Sequence, residues 1–182
     1  MLSVASKKLS KIEQRVHPCF VKLKSDIAKV SNEINAVVVN DSVIGKNIFE
    51  GPGAGAGPTG ASVMSDLMDI IRGTYNYPLG VSMKKKKKLK IQKIDDLSFP
   101  YYLRITAKDK AGVMAKISKA LSKRKISIES IIQKPSKRSN FAEIILITHT
   151  VKESSLLSSI KQIKRLPEVS SSVKFIRIED SL

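Results

Sequence analysis

Between an apolar run and an amphipathic stretch, the sequence reads Gly51-Pro52-Gly53-Ala54-Gly55-Ala56-Gly57-Pro58-Thr59-Gly60. A strand, a glycine loop and a helix start in that order suit an anion or a nucleotide. Glycines let backbone approach a ligand, and the free N–H groups of a helix start carry partial positive charge. The spacing fits neither common phosphate fingerprint. No Gly-Lys-Ser/Thr closes the loop, and after Gly51 and Gly53 the third glycine, Gly57, arrives one residue late for the dinucleotide pattern. A tight connection that packs a helix on a sheet would use the same glycines. Other chemistry is sparse. His17 and Cys19 have the residue types of a base and a nucleophile, but they flank Pro18 with no third orienting residue, which favours a structural role. Asp66 and Asp69 lie three apart on one helical side, placed for salt bridges or solvent rather than for acid–base work. With two histidines and one cysteine in the chain, neither a metal site nor an internal disulfide is expected.

These residues need elements to hold them. Residues 36–41, Ala-Val-Val-Val-Asn-Asp, end in a turn signal, and Val43 to Phe49 return through Gly45, which predicts a buried hairpin. Val63, Leu67, Ile70 and Ile71 recur on one helical face, and Gly73 stands where a helix stops. From Tyr101 the pattern changes. Leu103, Ile105 and Ala107 alternate as a strand, and Val113, Ile117, Ala120 and Leu121 repeat as a helix. Ile126, Ile128, Ser130 and Ile132 alternate again, and Phe141 to Thr148 is a buried type of strand. Leu156, Ile160 and Ile163 form a second helical stripe, and Val173 to Ile178 close with a strand. The order βαββαβ predicts a ferredoxin-like sheet with two helices on one face. An RNA-recognition module of that topology needs exposed aromatics on its central strands, and Ala142-Glu143-Ile144-Ile145-Leu146-Ile147 has none.

Composition bounds the remainder. The chain has 182 residues, 42% hydrophobic, with 33 Lys+Arg against 16 Asp+Glu, a formal charge of +17. That is a basic globular chain of one or two small domains. The charge is uneven: +2 over residues 1–80, +5 over 81–96 and +10 over 97–182. The run Lys84 to Lys88 repels itself and predicts an extended, solvated linker over residues 75–97. Lysine dominates the positive charge with only seven arginines, which speaks against nucleic acid as the partner. No apolar run reaches the length of a membrane span, and the N-terminus lacks the form of a signal peptide, so a cytoplasmic protein is expected.

The run from Asn35-Ala36-Val37-Val38-Val39 through Gly51-Pro52-Gly53-Ala54-Gly55, Pro58-Thr59 and Asp66-Leu67-Met68-Asp69-Ile70-Ile71-Arg72 resembles the end of the catalytic domain of homoserine dehydrogenase. Arg15-Val16-His17-Pro18 resembles a strand of the same enzyme. The resemblance implies NADPH- or NADH-dependent reduction of aspartate 4-semialdehyde to homoserine, in the biosynthesis of threonine, methionine and isoleucine. It places the cofactor contact on Gly55, with Gly53 and Ala54 beside it. It also implies that the family's dinucleotide-binding domain, proton-donating lysine and substrate-binding acids precede Met1. The chain is then a fragment or a split gene product, without catalytic residues of its own and inactive alone.

Thr106-Ala107-Lys108-Asp109-Lys110-Ala111-Gly112-Val113-Met114 and Ile126-Ser127-Ile128-Glu129-Ser130 are similar to an ACT domain, the amino-acid-sensing module of many biosynthetic enzymes. This resemblance implies side-by-side pairing into a homodimer or higher homo-oligomer. It implies an effector, threonine, bound at Asp109 and Gly112 with Ser127 facing it. The family often has Asn and Pro where this chain has Asp109 and Ala111, and Asp109 has a second reading as a helix cap. The fold class is thus α+β: a partial mixed α/β sheet of a dehydrogenase catalytic domain (1–74), a lysine-rich linker (75–97) and a ferredoxin-like ACT domain (98–182). The alternative is a stand-alone amino-acid-binding ACT regulatory protein.

Overall fold

A computed structural model describes residues 1–8, 10–74, 89–136 and 139–180, and the run Lys84 to Lys88 lies outside them. The chain divides into two compact units, Met1–Phe20 with Leu89–Ser181, and Val21–Lys88. Compactness therefore groups the first twenty residues with the C-terminal half of the chain.

The larger unit is built on the expected βαββαβ order. Strand β8 (Tyr101–Lys108) leads to α2 (Val113–Ser122), β9 (Ile128–Pro135), β10 (Phe141–Thr148), α3 (Glu153–Ile163) and β12 (Val169–Glu179). The sheet order is β3-β12-β8-β10-β9, with β3 (Cys19–Val21) added at one edge. Neighbouring pairs β12–β8, β8–β10 and β10–β9 are antiparallel. Leu103, Ile105 and Ala107 alternate inward and are fully buried, as alternation on a half-covered sheet requires. Val113, Ile117, Ala120 and Leu121 of α2 and Leu156, Ile160 and Ile163 of α3 close the core over them. β9 departs from expectation. Only Ile128 of this edge strand packs against the core, and Ile131 and Ile132 remain 46% and 51% exposed.

The N-terminal ribbon pairs β1 (Leu2–Lys8) with β2 (Lys11–His17) antiparallel. Beside it, β6 (Lys90–Ile91) runs parallel to β2, and the Gln92 N–H donates to Ile12 O at 2.8 Å. Residues 89–97, expected as linker, are therefore ordered. A short 3-10 turn over Ile94–Asp96 delivers Leu97 to the core and leads into β7 (Ser98–Phe99), which pairs with β11 (Val151–Lys152). The self-repelling lysines end at Lys88, and the apolar residues Leu89, Ile91, Ile94 and Leu97 take over.

The smaller unit holds the expected hairpin, β4 (Ile34–Asp41) with β5 (Gly45–Pro52), in register Val38↔Ile48 and Asp41↔Gly45. The turn is fixed by Asp41 Oδ1, which accepts the Val43 N–H at 2.7 Å and the Ile44 N–H at 3.3 Å, and by Gly45 at φ +73°. Helix α1 (Ala56–Ile71) ends where Gly73 predicts. Gly73 takes φ +69°, and the N–H groups of Gly73 and Thr74 return to Ile70 O and Asp69 O, a Schellman closure. The hairpin is not buried, however: Val37, Phe49 and the Val63–Leu67–Ile70–Ile71 face of α1 are all exposed, and α1 has no buried residue. A two-stranded ribbon and one helix are too small to enclose a core.

Candidate functional site

The glycine loop is built from the end of β5 and the start of α1. Gly53 crosses Asn35 of β4 so closely that a Cβ there would lie 1.8 Å from Asn35 Nδ2, and the Gly53 N–H donates to Glu33 O at 2.8 Å. Gly55 takes φ +110° and ψ 152°, a conformation that excludes a side chain, and caps the helix while its carbonyl accepts the Thr59 N–H at 3.1 Å. No side chain caps α1, and Pro58 has no N–H to satisfy, so the amides of Ala56 and Gly57 face outward without a side-chain acceptor. Gly57 and Gly60 meet open space within the chain, so packing here does not demand glycine at either position. Gly53, Ala54 and Gly55 lead into an exposed helix start able to receive an electronegative group.

A second candidate lies at the end of β8. Residues 108–114 with Gln133, Ala142 and Ile144 line an open depression of about 270 Å³. Gly112 caps α2 at φ +84° without a side-chain cap. Asp109 is not the helix cap. Its Oδ1 accepts from Gln133 Nε2 at 3.1 Å, and its N–H donates to Asn140 O at 3.0 Å. Beside the loop, Lys116 Nζ meets Glu168 Oε1 at 2.5 Å and holds that carboxyl below its usual range. Ser127 is exposed but does not join Asp109 and Gly112 in one copy. Its carbonyl accepts the His149 N–H, and the neighbouring Ile128 pairs with Thr148, whereas Gln133 pairs with Ile144 further along β9. Sequence reasoning missed Gln133, because the alternation traced along β9 stopped at Ile132.

The remaining candidates separate. His17 makes its contacts with Arg15 and Pro18 O rather than with Cys19, and burial pushes the Cys19 thiol up, away from the nucleophilic thiolate. Asp69 accepts from the Thr74 hydroxyl, and Asp66 lies exposed on α1. Among the described residues no cluster of three metal-ligating side chains forms, and no helix is long and apolar enough to cross a membrane.

Known proteins match both candidates in order. Residues 2–68 match the homoserine dehydrogenase family, and residues 101–168 match the ACT domain family. The homoserine dehydrogenase of Helicobacter pylori is 34% identical over 180 residues, 99% of this chain and 42% of that protein. The Pseudomonas aeruginosa homoserine dehydrogenase is 37% identical, over 98% of this chain and 43% of its own length. The chain is a homologue of the homoserine dehydrogenases. The crystal structure of the Thiobacillus denitrificans homoserine dehydrogenase superposes with a TM-score of 0.84 at 31% identity, over 97% of this chain and 41% of that one. The Staphylococcus aureus homoserine dehydrogenase, at 21% identity and a TM-score of 0.54, shares the fold. This chain spans about two-fifths of the length of the homoserine dehydrogenases it matches. The mixed α+β architecture with a ferredoxin-like ACT domain agrees with these relatives.

Proposed function

We propose that this chain carries the cofactor-facing loop and the regulatory domain of a homoserine dehydrogenase. The order of the two family matches supports this reading, with residues 1–74 as the end of the catalytic domain, 75–97 as the connection and 98–182 as the ACT domain. The observation that carries it is Gly55 at φ +110° heading an uncapped helix, with Gly57 and Gly60 opening onto free space. That geometry fits backbone contact with a nicotinamide dinucleotide, NADPH or NADH. When bound, the nicotinamide supplies the hydride that reaches C4 of aspartate 4-semialdehyde and yields homoserine. Gly53 and Ala54 hold the loop backbone in place, Gly55 turns it toward the cofactor, and the amides of Ala56 and Gly57 receive an electronegative group. None of these side chains moves a proton. The proton donor belongs to the portion of the relatives that this chain does not match.

In the same reading, the depression at Asp109 and Gly112 receives an amino acid effector, threonine, whose carboxylate meets the uncapped start of α2. Ser127 completes that site from a second copy, paired along the exposed edge strand β9, in a cytoplasmic homo-oligomer. Feedback requires that threonine bind two enzyme states unequally. One observation favours a second reading, a stand-alone amino-acid-binding ACT protein: the hydrophobic core lies wholly within residues 97–173. Calorimetry with threonine and an assay on the purified chain test the proposal. Threonine is expected to bind, with the heat lost in Asp109→Ala, while the chain alone does not oxidise NADPH with the semialdehyde. Turnover by the chain alone contradicts this division of labour, and absence of threonine binding removes the effector site.

A further inference from the structure

A buried ionic cluster joins the N-terminal ribbon to the ACT sheet. Arg15 of β2 lies at its centre with every guanidinium nitrogen engaged. Its Nε donates to Glu13 Oε1 at 2.6 Å, its Nη2 meets Glu179 Oε2 of β12 at 2.6 Å, and its Nη1 lies 2.9 Å from His17 Nε2. The guanidinium also stacks 4.8 Å above the Phe99 ring of β7. Glu13, Arg15, His17 and Glu179 are each no more than 7% exposed. On the far side, Arg177 of β12 pairs with Glu153 of α3, and Tyr101 donates its hydroxyl to the same carboxylate at 2.5 Å.

Donor chemistry fixes the state of His17. An arginine has no acceptor, so His17 Nε2 must accept from Arg15, and Nδ1 then carries the proton that it donates to Pro18 O at 3.2 Å. Only neutral imidazole satisfies both contacts. We propose that His17 is a proton-sensitive latch between the β1–β2 ribbon and the ACT sheet. Neutral, it seats Arg15 against Glu179. A proton taken from solvent onto Nε2 turns that contact into two opposed N–H donors and unseats the guanidinium.

The groups facing His17 are Glu13 and Arg15 from its own strand, Arg177 and Glu179 from β12, Phe99 from β7, and Cys19 with the Met1 amine nearby. Burial holds the imidazole below the ordinary histidine range and Arg177 and Arg15 add to it, against the opposing Pro18 carbonyl and Glu179. The sign follows from linkage. The latch is closed above about pH 6.5, where free histidine is neutral. As pH falls further, the opened form binds the proton first and gains population until seated His17 is itself protonated. The inference is independent of the catalytic reading, since it concerns this chain alone.

Hydrogen exchange of the β1–β2 amides, taken as a ratio to those of β8 and corrected for intrinsic exchange, tests the latch between pH 7.5 and 5. NMR of the His17 ring provides its titration in the same samples. In the unsubstituted chain the ratio is expected to rise as pH falls below about 6.5 and to level off as the seated ring titrates. It is expected to stay flat in His17→Gln, which keeps an acceptor for Arg15 and takes up no proton. A ratio that stays flat from about pH 6.5 down to the ring titration, or an equal rise in a folded His17→Gln, overturns the proposal. If His17→Gln does not fold, the unsubstituted chain decides alone: a rise that begins near pH 6.5 and levels off at the ring titration supports the latch, and a flat ratio or a rise that continues past the ring titration refutes it.

Discussion

Gly53 lies against the side chain of Asn35: a Cβ on Gly53 would fall 1.8 Å from Nδ2 and 2.2 Å from Cγ of Asn35, so any larger residue must turn that exposed amide aside. Gly53→Ala is therefore expected to swing the exposed Asn35 side chain aside, at a cost of no more than about 0.5 kcal/mol of local stability. Faster amide exchange across residues 34–52 reports the loss. Asn35→Gly, by removing the opposing side chain, should restore most of it, and a double variant as unstable as Gly53→Ala would refute the steric account.

Arg15 and Glu179 form the second close relationship, at 2.6 Å and almost fully buried. Breaking a buried pair by removing one partner costs about 3–5 kcal/mol, because the remaining charge loses its compensation. Arg15→Met and Glu179→Gln should each destabilise the larger unit in urea unfolding. Their double variant should lose clearly less than the sum, since the two share one interaction. Additive losses would show that the two residues act separately.

Tyr101 is fully buried and donates to Glu153. Burial, then the hydrogen bond and charge of Glu153, push its hydroxyl far above the ordinary tyrosine range. The folded state favours neutral tyrosine, so the stability this group supplies is full below about pH 10, where free tyrosine ionises, and falls as pH rises beyond it. Tyr101→Phe should cost about 0.5–1.5 kcal/mol at neutral pH. It should also flatten the alkaline decline in stability, read by unfolding at pH 8 and pH 11. An unchanged slope would contradict the assignment.

Local periodicity made the ACT fold legible. Val113, Ile117, Ala120 and Leu121 announce a helix, and Leu103, Ile105 and Ala107 a strand, because in each case one face meets the core. The same logic found the helix through Val63 and Ile71 but misjudged the burial of the hairpin before it. Periodicity reports which face needs covering, not what covers it, and those residues stay exposed in this chain. The alternation through Ile128 and Ile132 likewise does not report that of the two only Ile128 meets the core. Loop glycines and helix starts are local features, so the places of Gly53, Gly55 and Gly112 in the chain were legible, while the ligand roles of Gly53, Ala54, Gly55, Asp109 and Gly112 came from the family resemblance. Gln133 was not, since only the β9–β10 register brings it to Asp109. The cluster of Arg15, Phe99, Glu153, Arg177 and Glu179 was invisible for the same reason, its members being drawn from four strands and helices far apart in sequence.

If this chain supplies the cofactor-facing loop and ACT domain of a homoserine dehydrogenase, it should complete the enzyme when joined to the portion of the Helicobacter pylori protein that it does not match. NADPH oxidation with aspartate 4-semialdehyde is then measured on a product shown to be folded by circular dichroism. The joined protein is expected to reduce the semialdehyde, and Gly55→Val, which forces a side chain onto φ +110°, is expected to raise KM for NADPH about tenfold or more. A folded joined protein that binds NADPH but shows no reduction, beside an active Helicobacter pylori enzyme, would contradict that role for the chain.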